Sequence, residues 1–128
     1  MSNIYLDNII DLYKNPLNAG QLDQASVSYR AYNPLCGDEV TVDLLIEDDT
    51  IIDVRQRGNG CAISQASISL LTEEVKGKSL DEVMAIRPNE VVEMLGIELS
   101  PVRLKCALLG LEALHQAIGK YMNNLKSQ

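Results

Sequence analysis

Residues 38–56 read DEVTVDLLIEDDTIIDVRQ. Asp38 to Glu47 is a run rich in Val, Leu and Ile, and Thr50 to Gln56 is a second run of the same kind. Such residues favour the pleated, half-buried surface of a sheet. Between the runs stand only Asp48 and Asp49. Two short polar residues between two such runs predict a tight turn joining antiparallel strands.

The chain on either side extends this hairpin into a fold. Upstream, Ala25 to Tyr32 (ASVSYRAY) alternates small or apolar with polar residues and reads as a further strand, broken by Asn33-Pro34. Before it, Asn3 to Lys14 carries Ile4, Leu6, Ile9, Ile10, Leu12 and Tyr13 at the spacing of an amphipathic helix, which Asn15-Pro16 ends. Leu17 to Gln24 reads as a turn-rich connection. Downstream, Gly58-Asn59-Gly60 interrupts the chain and the period changes. From Cys61 the apolar residues Ile63, Ala66, Leu70 and Leu71 fall at helical spacing until Lys76-Gly77-Lys78. Ser79 is a plausible cap for a short helix through about Ile86, and Pro88 opens another through about Leu95. Ser100-Pro101 caps a last helix, from about Val102 to Leu125. Strands gathered early and helices late predict an α+β domain over residues 1–128, with a three-stranded antiparallel sheet packed against several helices.

Eleven Lys and Arg against eighteen Asp and Glu leave a formal net charge of −7. An acidic balance argues against a large phosphate-binding surface, so nucleic acid is not an expected partner. Hydrophobic residues make up 46% of the chain and charged residues 23%, the composition of a globular protein. No stretch approaches the roughly 20 apolar residues of a membrane span. The opening lacks a basic region followed by an apolar run, which predicts no signal peptide and a cytoplasmic location.

The chain has three cysteines, an odd number that suits a reducing compartment better than a disulfide framework. Cys36 lies in a loop running into a strand; Gly37 permits an unusual backbone angle there, letting Cys36 and Asp38 face one site. Cys61 follows the Gly-Asn-Gly interruption and opens a helix, whose free N–H groups and positive dipole end favour a thiolate. Cys106 lies in the first turns of the last helix, with Arg103 on roughly the same face and Lys105 about 100° away on a long stem. Each cysteine also has a plain structural reading, as core for Cys106 and as a small residue under a helix start for Cys61. Spacing names no metal site, because the chain has no CxxC pair. His115, nine residues past Cys106 and roughly 13 Å along the helix, reads as structural. Asp48-Asp49 and Glu73-Glu74 read as solvated pairs, and Tyr5 as packing.

The strings around the cysteines are more specific than the spacing. Asn33-Pro34-Leu35-Cys36-Gly37-Asp38, Gly58-Asn59-Gly60-Cys61-Ala62-Ile63-Ser64-Gln65-Ala66-Ser67 and Arg103-Leu104-Lys105-Cys106-Ala107 resemble, in order, the three motifs of the IscU/SufU (NifU N-terminal-like) iron–sulfur cluster assembly scaffolds. The opening, from Tyr5 through Asp11-Leu12-Tyr13-Lys14-Asn15-Pro16 to Asn18-Ala19-Gly20, resembles that of the same family. The resemblance implies a SufE/NifU-like fold and a non-enzymatic scaffold. It implies a nascent [2Fe–2S] cluster on Cys36, Cys61 and Cys106, with Asp38 as fourth ligand. Thiolates are the soft ligands such a cluster needs. Arg103 and Lys105 stand beside the site as counter-charges, and Arg57 is a third candidate. The implied partners are a cysteine desulfurase, apo-protein or carrier acceptors, an Hsp70-type chaperone and further copies of the chain around the cluster; neither nucleic acid nor membrane is expected.

Two features depart from the IscU pattern. The histidine that precedes the last cysteine in IscU proteins is Lys105 here, as in the SufU branch. Zinc-dependent SufU proteins, however, carry an insertion between the second and third cysteines, and 45 positions separate Cys61 from Cys106 here, too few to hold it. The alternative function is accordingly a SufU-type zinc-dependent sulfurtransferase, with zinc on the same four residues in the cluster-free form. The chaperone-recognition string Leu-Pro-Pro-Val-Lys is matched only loosely by Leu99-Ser100-Pro101-Val102-Arg103, so this stretch reads as a helix cap with a first-turn proline and the sequence argues against dependence on a dedicated chaperone.

Overall fold

A computed structural model describes residues 4–35 and 37–126. Its elements run α1 (Ile4–Lys14), β1 (Val27–Tyr32), β2 (Glu39–Glu47), β3 (Thr50–Asn59), α2 (Ala62–Val75), α3 (Leu80–Met84), α4 (Pro88–Leu95) and α5 (Pro101–Lys126). The strands form one antiparallel sheet in the order β1-β2-β3. Asp48 and Asp49 turn the hairpin with φ of 51° and 57°, a left-handed pair whose twist matches that of the flanking strands.

Register explains which side of the sheet meets the helices. Val42 sits between Tyr29 and Gln56, and Leu44 between Val27 and Val54. Val40, Val42, Leu44 and Ile46 are all buried, as strand periodicity demands of one face. That face packs under α2 and α5, with Ile68, Leu71, Leu114 and Ile118 among the fully buried side chains. The apolar run predicts that β3 ends at Gln56, whereas the strand continues to Asn59. Gly58 lies opposite Val40, and a Cβ there would stand 2.1 Å from the Glu39 carbonyl oxygen. The missing side chain is what lets the ladder run on, so this glycine extends the strand instead of ending it.

Helix starts follow local chemistry. Ser79 and Glu82 form a reciprocal cap on α3, each side chain meeting the other's backbone N–H. On α5, Ser100 Oγ accepts from Arg103 N–H at 3.3 Å, with Pro101 as the first helical residue. Leu99–Arg103 is thus built as a helix cap. His115 Nε2 lies 2.9 Å from the Val83 carbonyl oxygen, tying α5 to α3 in the structural role expected of it.

A second apolar cluster joins Ile9 and Leu12 of α1 to Ile63, Ala66, Leu95, Cys106 and Ala107. An 11-residue helix is marginal alone. Burying Ile9 and Leu12 is worth about 3–6 kcal/mol, which holds α1 over α2 and α5. The Tyr5 ring lies against the Cα of Gly96, at the end of α4.

The connection after α1 crosses the sheet. Gln56 N–H donates to Asn18 O at 2.9 Å, and Gly20 N–H donates to Gln56 O at 3.0 Å, so this segment covers the edge of β3. It also buries Asp43 on the outer face, where the carboxylate accepts from Ser28 Oγ at 2.7 Å, Leu22 N–H at 3.0 Å and Arg57 at 2.8 Å. Burial works against the Asp43 charge, but these donors and the Arg57 cation together outweigh it, and its pKa lies below the ordinary value.

Candidate metal centre

Asp38, Cys61 and Cys106 come from three separate elements. Asp38 immediately precedes β2 and is buried; its carbonyl oxygen accepts from Asn33 N–H at 2.8 Å, which closes the intervening loop at its base. Within that loop Gly37 N–H donates to Asn33 O, and Gly37 has φ 76°, the angle anticipated for it. Cys61 is the N-cap of α2, with extended backbone (φ −72°, ψ 169°) and no side-chain bond to the helix N–H groups. Its thiol is half-buried at the positive end of the helix dipole. Cys106 lies in the second turn of α5, with a buried thiol.

The packing of α2 against α5 and of both against the sheet brings these groups together. One carboxylate oxygen of Asp38 and the sulfurs of Cys61 and Cys106 all lie within 4.8 Å of one another. Ligands of a tetrahedral zinc ion stand about 3.5–3.8 Å apart, given metal–ligand lengths of about 2.0–2.3 Å, so a modest contraction closes the set on one ion. Asp38 Oδ2 supplies an independent test of fit. It is buried and has no hydrogen-bond partner among the described residues. Such an oxygen costs on the order of 1–3 kcal/mol or more, a penalty that a cation on the same oxygen removes. Soft thiolates with one hard carboxylate suit zinc or the irons of an iron–sulfur cluster.

Gly60 makes the approach possible. A Cβ there would stand 2.4 Å from Ser64 Oγ and 3.1 Å from Asp38 Cγ. In sequence Gly58-Asn59-Gly60 reads as a break between strand and helix, with no part for Gly60 in the site. The signal available was a glycine directly before a candidate ligand.

The remaining anticipated residues are placed as follows. Cys36 lies outside the described residues. Arg103 and Lys105 are both exposed on α5. Lys105 borders a hollow of about 270 Å³ together with Tyr32, Asn33, Pro34, Leu35, Leu109 and Glu112, beside the loop that carries position 36. Arg57 does not serve the thiolates: its guanidinium is bound to Asp43 at 2.8 Å and to Gly20 O at 3.2 Å, because the buried carboxylate on the outer sheet face claims it. Glu73 accepts from Asn18 at 2.9 Å and Glu74 pairs with Lys78 at 3.0 Å, both on the surface.

The fold and the site define a class: an α+β domain presenting two thiols and a carboxylate at the junction of sheet and helices. Residues 4–128 match the family described as NifU-like N terminal domain. The chain belongs to that family. It is 38% identical to the iron-sulfur cluster assembly scaffold protein IscU of Escherichia coli K12 over 128 residues, covering 97% of this chain and 98% of that protein. It is 35% identical over 118 residues to an IscU of Archaeoglobus fulgidus, covering 92% of this chain and 76% of that one. Among solved structures, a SUF-system protein (FiSufU) from the thermophile Fervidobacterium islandicum AW-1 superposes with a TM-score of 0.78 at 31% identity, over 88% of this chain and 94% of the other. A NifU-like N-terminal structure from Brucella abortus gives 0.77 at 26% identity, over 94% and 95%.

Proposed function

We propose that this chain, acting as one domain over residues 1–128, is a non-enzymatic scaffold for assembling an iron–sulfur cluster. Iron and desulfurase-derived sulfur are built into a [2Fe–2S] unit that is then passed to acceptor proteins. The observation that carries the reading is the meeting of ligand atoms of Asp38, Cys61 and Cys106 within 4.8 Å of one another, with a buried Asp38 oxygen that has no hydrogen-bond partner among the described residues. Cys36, two positions before Asp38 in sequence, completes the ligand set. The cluster is cargo, so the ligands must hold it and also release it. Thiolates match iron and sulfide, while the harder carboxylate is the weaker fourth ligand and the first to yield. Four anionic ligands around a dicationic cluster leave two negative charges, for which Lys105 and Arg103 are the nearby counter-charges on α5.

The partners follow from the chemistry: a cysteine desulfurase as sulfur donor, apo-proteins or carriers as acceptors, and a second copy where a cluster bridges chains. A cytoplasmic location belongs to the same reading; among the described residues no helix is long and apolar enough to cross a membrane. Zinc occupies the same ligands in the cluster-free form. A second reading, a zinc-dependent sulfurtransferase accepting persulfide sulfur, is favoured by Lys105, which stands where IscU proteins carry a histidine. The short span between Cys61 and Cys106 counts against it.

One experiment separates them. Purify the protein anaerobically, supply ferrous iron, cysteine, desulfurase and a thiol reductant to bring persulfide sulfur to sulfide, and measure iron, sulfide, zinc and visible absorption. Iron and sulfide in equal amounts with sulfur-to-iron charge-transfer bands support the scaffold. Stoichiometric zinc that resists replacement supports sulfur transfer, and no bound metal at all removes both.

A further inference from the structure

Ser64 lies in the first turn of α2 and is completely buried. A hydroxyl there cannot turn to water, so its proton must go to a protein acceptor. It donates to the Cys61 carbonyl oxygen at 3.0 Å. That carbonyl already accepts from Gln65 N–H at 3.1 Å. The Ser64 proton can therefore leave without stranding a buried acceptor. The Cys61 sulfur also lies 4.0 Å from Ser64 Oγ, with the thiol donating to the hydroxyl oxygen. The space between Ser64 and Asp38 is the one left by the absent side chain of Gly60.

Metal binding reverses the direction of this contact. When Cys61 becomes a metal-bound thiolate its proton is released to solvent, and sulfur turns from donor to acceptor. Resting on the metal-centre reading above, we propose that Ser64 is a positioning residue for that thiolate. Its hydroxyl rotates from the Cys61 carbonyl to the sulfur once metal is bound, withdrawing electron density from the bond to the metal. Turning the hydroxyl points its proton at a sulfur 4.0 Å away, and a small side-chain shift closes the bond. Hydrogen bonds to ligand sulfurs are a general means of tuning such centres.

The test uses cobalt(II), which reports thiolate ligation by its charge-transfer absorption where zinc is silent. Wild-type protein, Ser64→Ala, Ser64→Thr and Ser67→Ala are titrated anaerobically. Ser67 Oγ donates to Ala107 O at 2.5 Å on the same buried helix face, so Ser67→Ala controls for loss of any buried hydroxyl. Ser64→Ala is expected to move the sulfur-to-cobalt band to lower energy and to weaken apparent affinity about tenfold. Ser64→Thr, which keeps the hydroxyl, should return both, and Ser67→Ala should lower the melting temperature and leave the band in place. An unshifted band in Ser64→Ala, or an equal shift in Ser67→Ala, overturns the role of Ser64 while leaving the metal centre standing. Failure of the wild-type protein to bind cobalt overturns the centre itself, and this role with it. Should the Ser64 variants not fold, wild-type protein loaded with an NMR-active cadmium isotope answers instead. A scalar coupling between the Ser64 hydroxyl proton and the metal supports the bond, and its absence refutes it.

Discussion

Replacing Gly60 with alanine sets two effects of opposite sign against each other. Gly60 is not among the glycines with positive φ, so alanine meets no backbone strain there. At such a position Gly→Ala ordinarily stabilises by about 0.4–1 kcal/mol, by narrowing the unfolded ensemble. Here the new methyl would stand 2.4 Å from Ser64 Oγ and 3.1 Å from Asp38 Cγ. The first clash can be relieved by turning Ser64 away from the Cys61 carbonyl, which costs about 1–3 kcal/mol for a buried hydroxyl left without its bond. The second clash can be relieved only by pushing the Asp38 carboxylate aside. The net expectation is a loss of about 1 kcal/mol, or a melting temperature lower by about 4 °C. Zinc affinity, measured by competition with a chelator, should fall more than tenfold, because the displaced ligand sits in the coordination sphere. In Gly60→Ala/Ser64→Ala the shorter contact is gone, so part of the stability should return while the affinity stays low. A Gly60→Ala protein that is more stable than wild type and binds zinc equally well would refute this account of the site.

Three further outcomes are expected. Asp38→Ala removes a buried oxygen that lacks a partner, so the metal-free protein should melt higher in calorimetry; cluster transfer to an acceptor should slow, and faster loss of cluster would contradict the weak-ligand role. Cys36→Ser, Cys61→Ser and Cys106→Ser should each abolish stable cluster assembly, read by visible absorption, and a Cys36→Ser protein retaining a full cluster would remove that residue from the ligand set. Because the folded pKa of Asp43 lies below its ordinary 3.8, its ionisation stabilises the fold fully above that value and loses its contribution as pH falls through the folded pKa. Asp43→Asn should therefore lower stability at neutral pH and flatten the acid limb of a denaturation series below about pH 4, and an unchanged limb would assign that limb to other carboxylates.

Much of the architecture is written in short stretches of chain. The hairpin over residues 38–56 follows from two apolar runs and a two-residue turn, and the helix starts at Ser79, Pro88 and Ser100 follow from capping chemistry. These depend on neighbours within a few positions, so one sequence suffices to read them. The order of the motifs around Cys36, Cys61 and Cys106 likewise marks the family from the sequence alone.

Tertiary structure decided what depends on distant segments meeting. Asp43 stands on the outer face of β2, where a polar residue reads as solvated, yet the connection after α1 folds over it and draws Arg57 away from the thiolates. Gly58 and Gly60 look alike in sequence, but one admits a neighbouring strand's carbonyl and the other leaves room for Asp38 and Ser64. The gathering of Asp38, Cys61 and Cys106 is fixed by how α2 and α5 pack on the sheet, because that packing alone sets distances between groups tens of residues apart. Local periodicity determines what each segment becomes; close packing of those segments determines which side chains share a space.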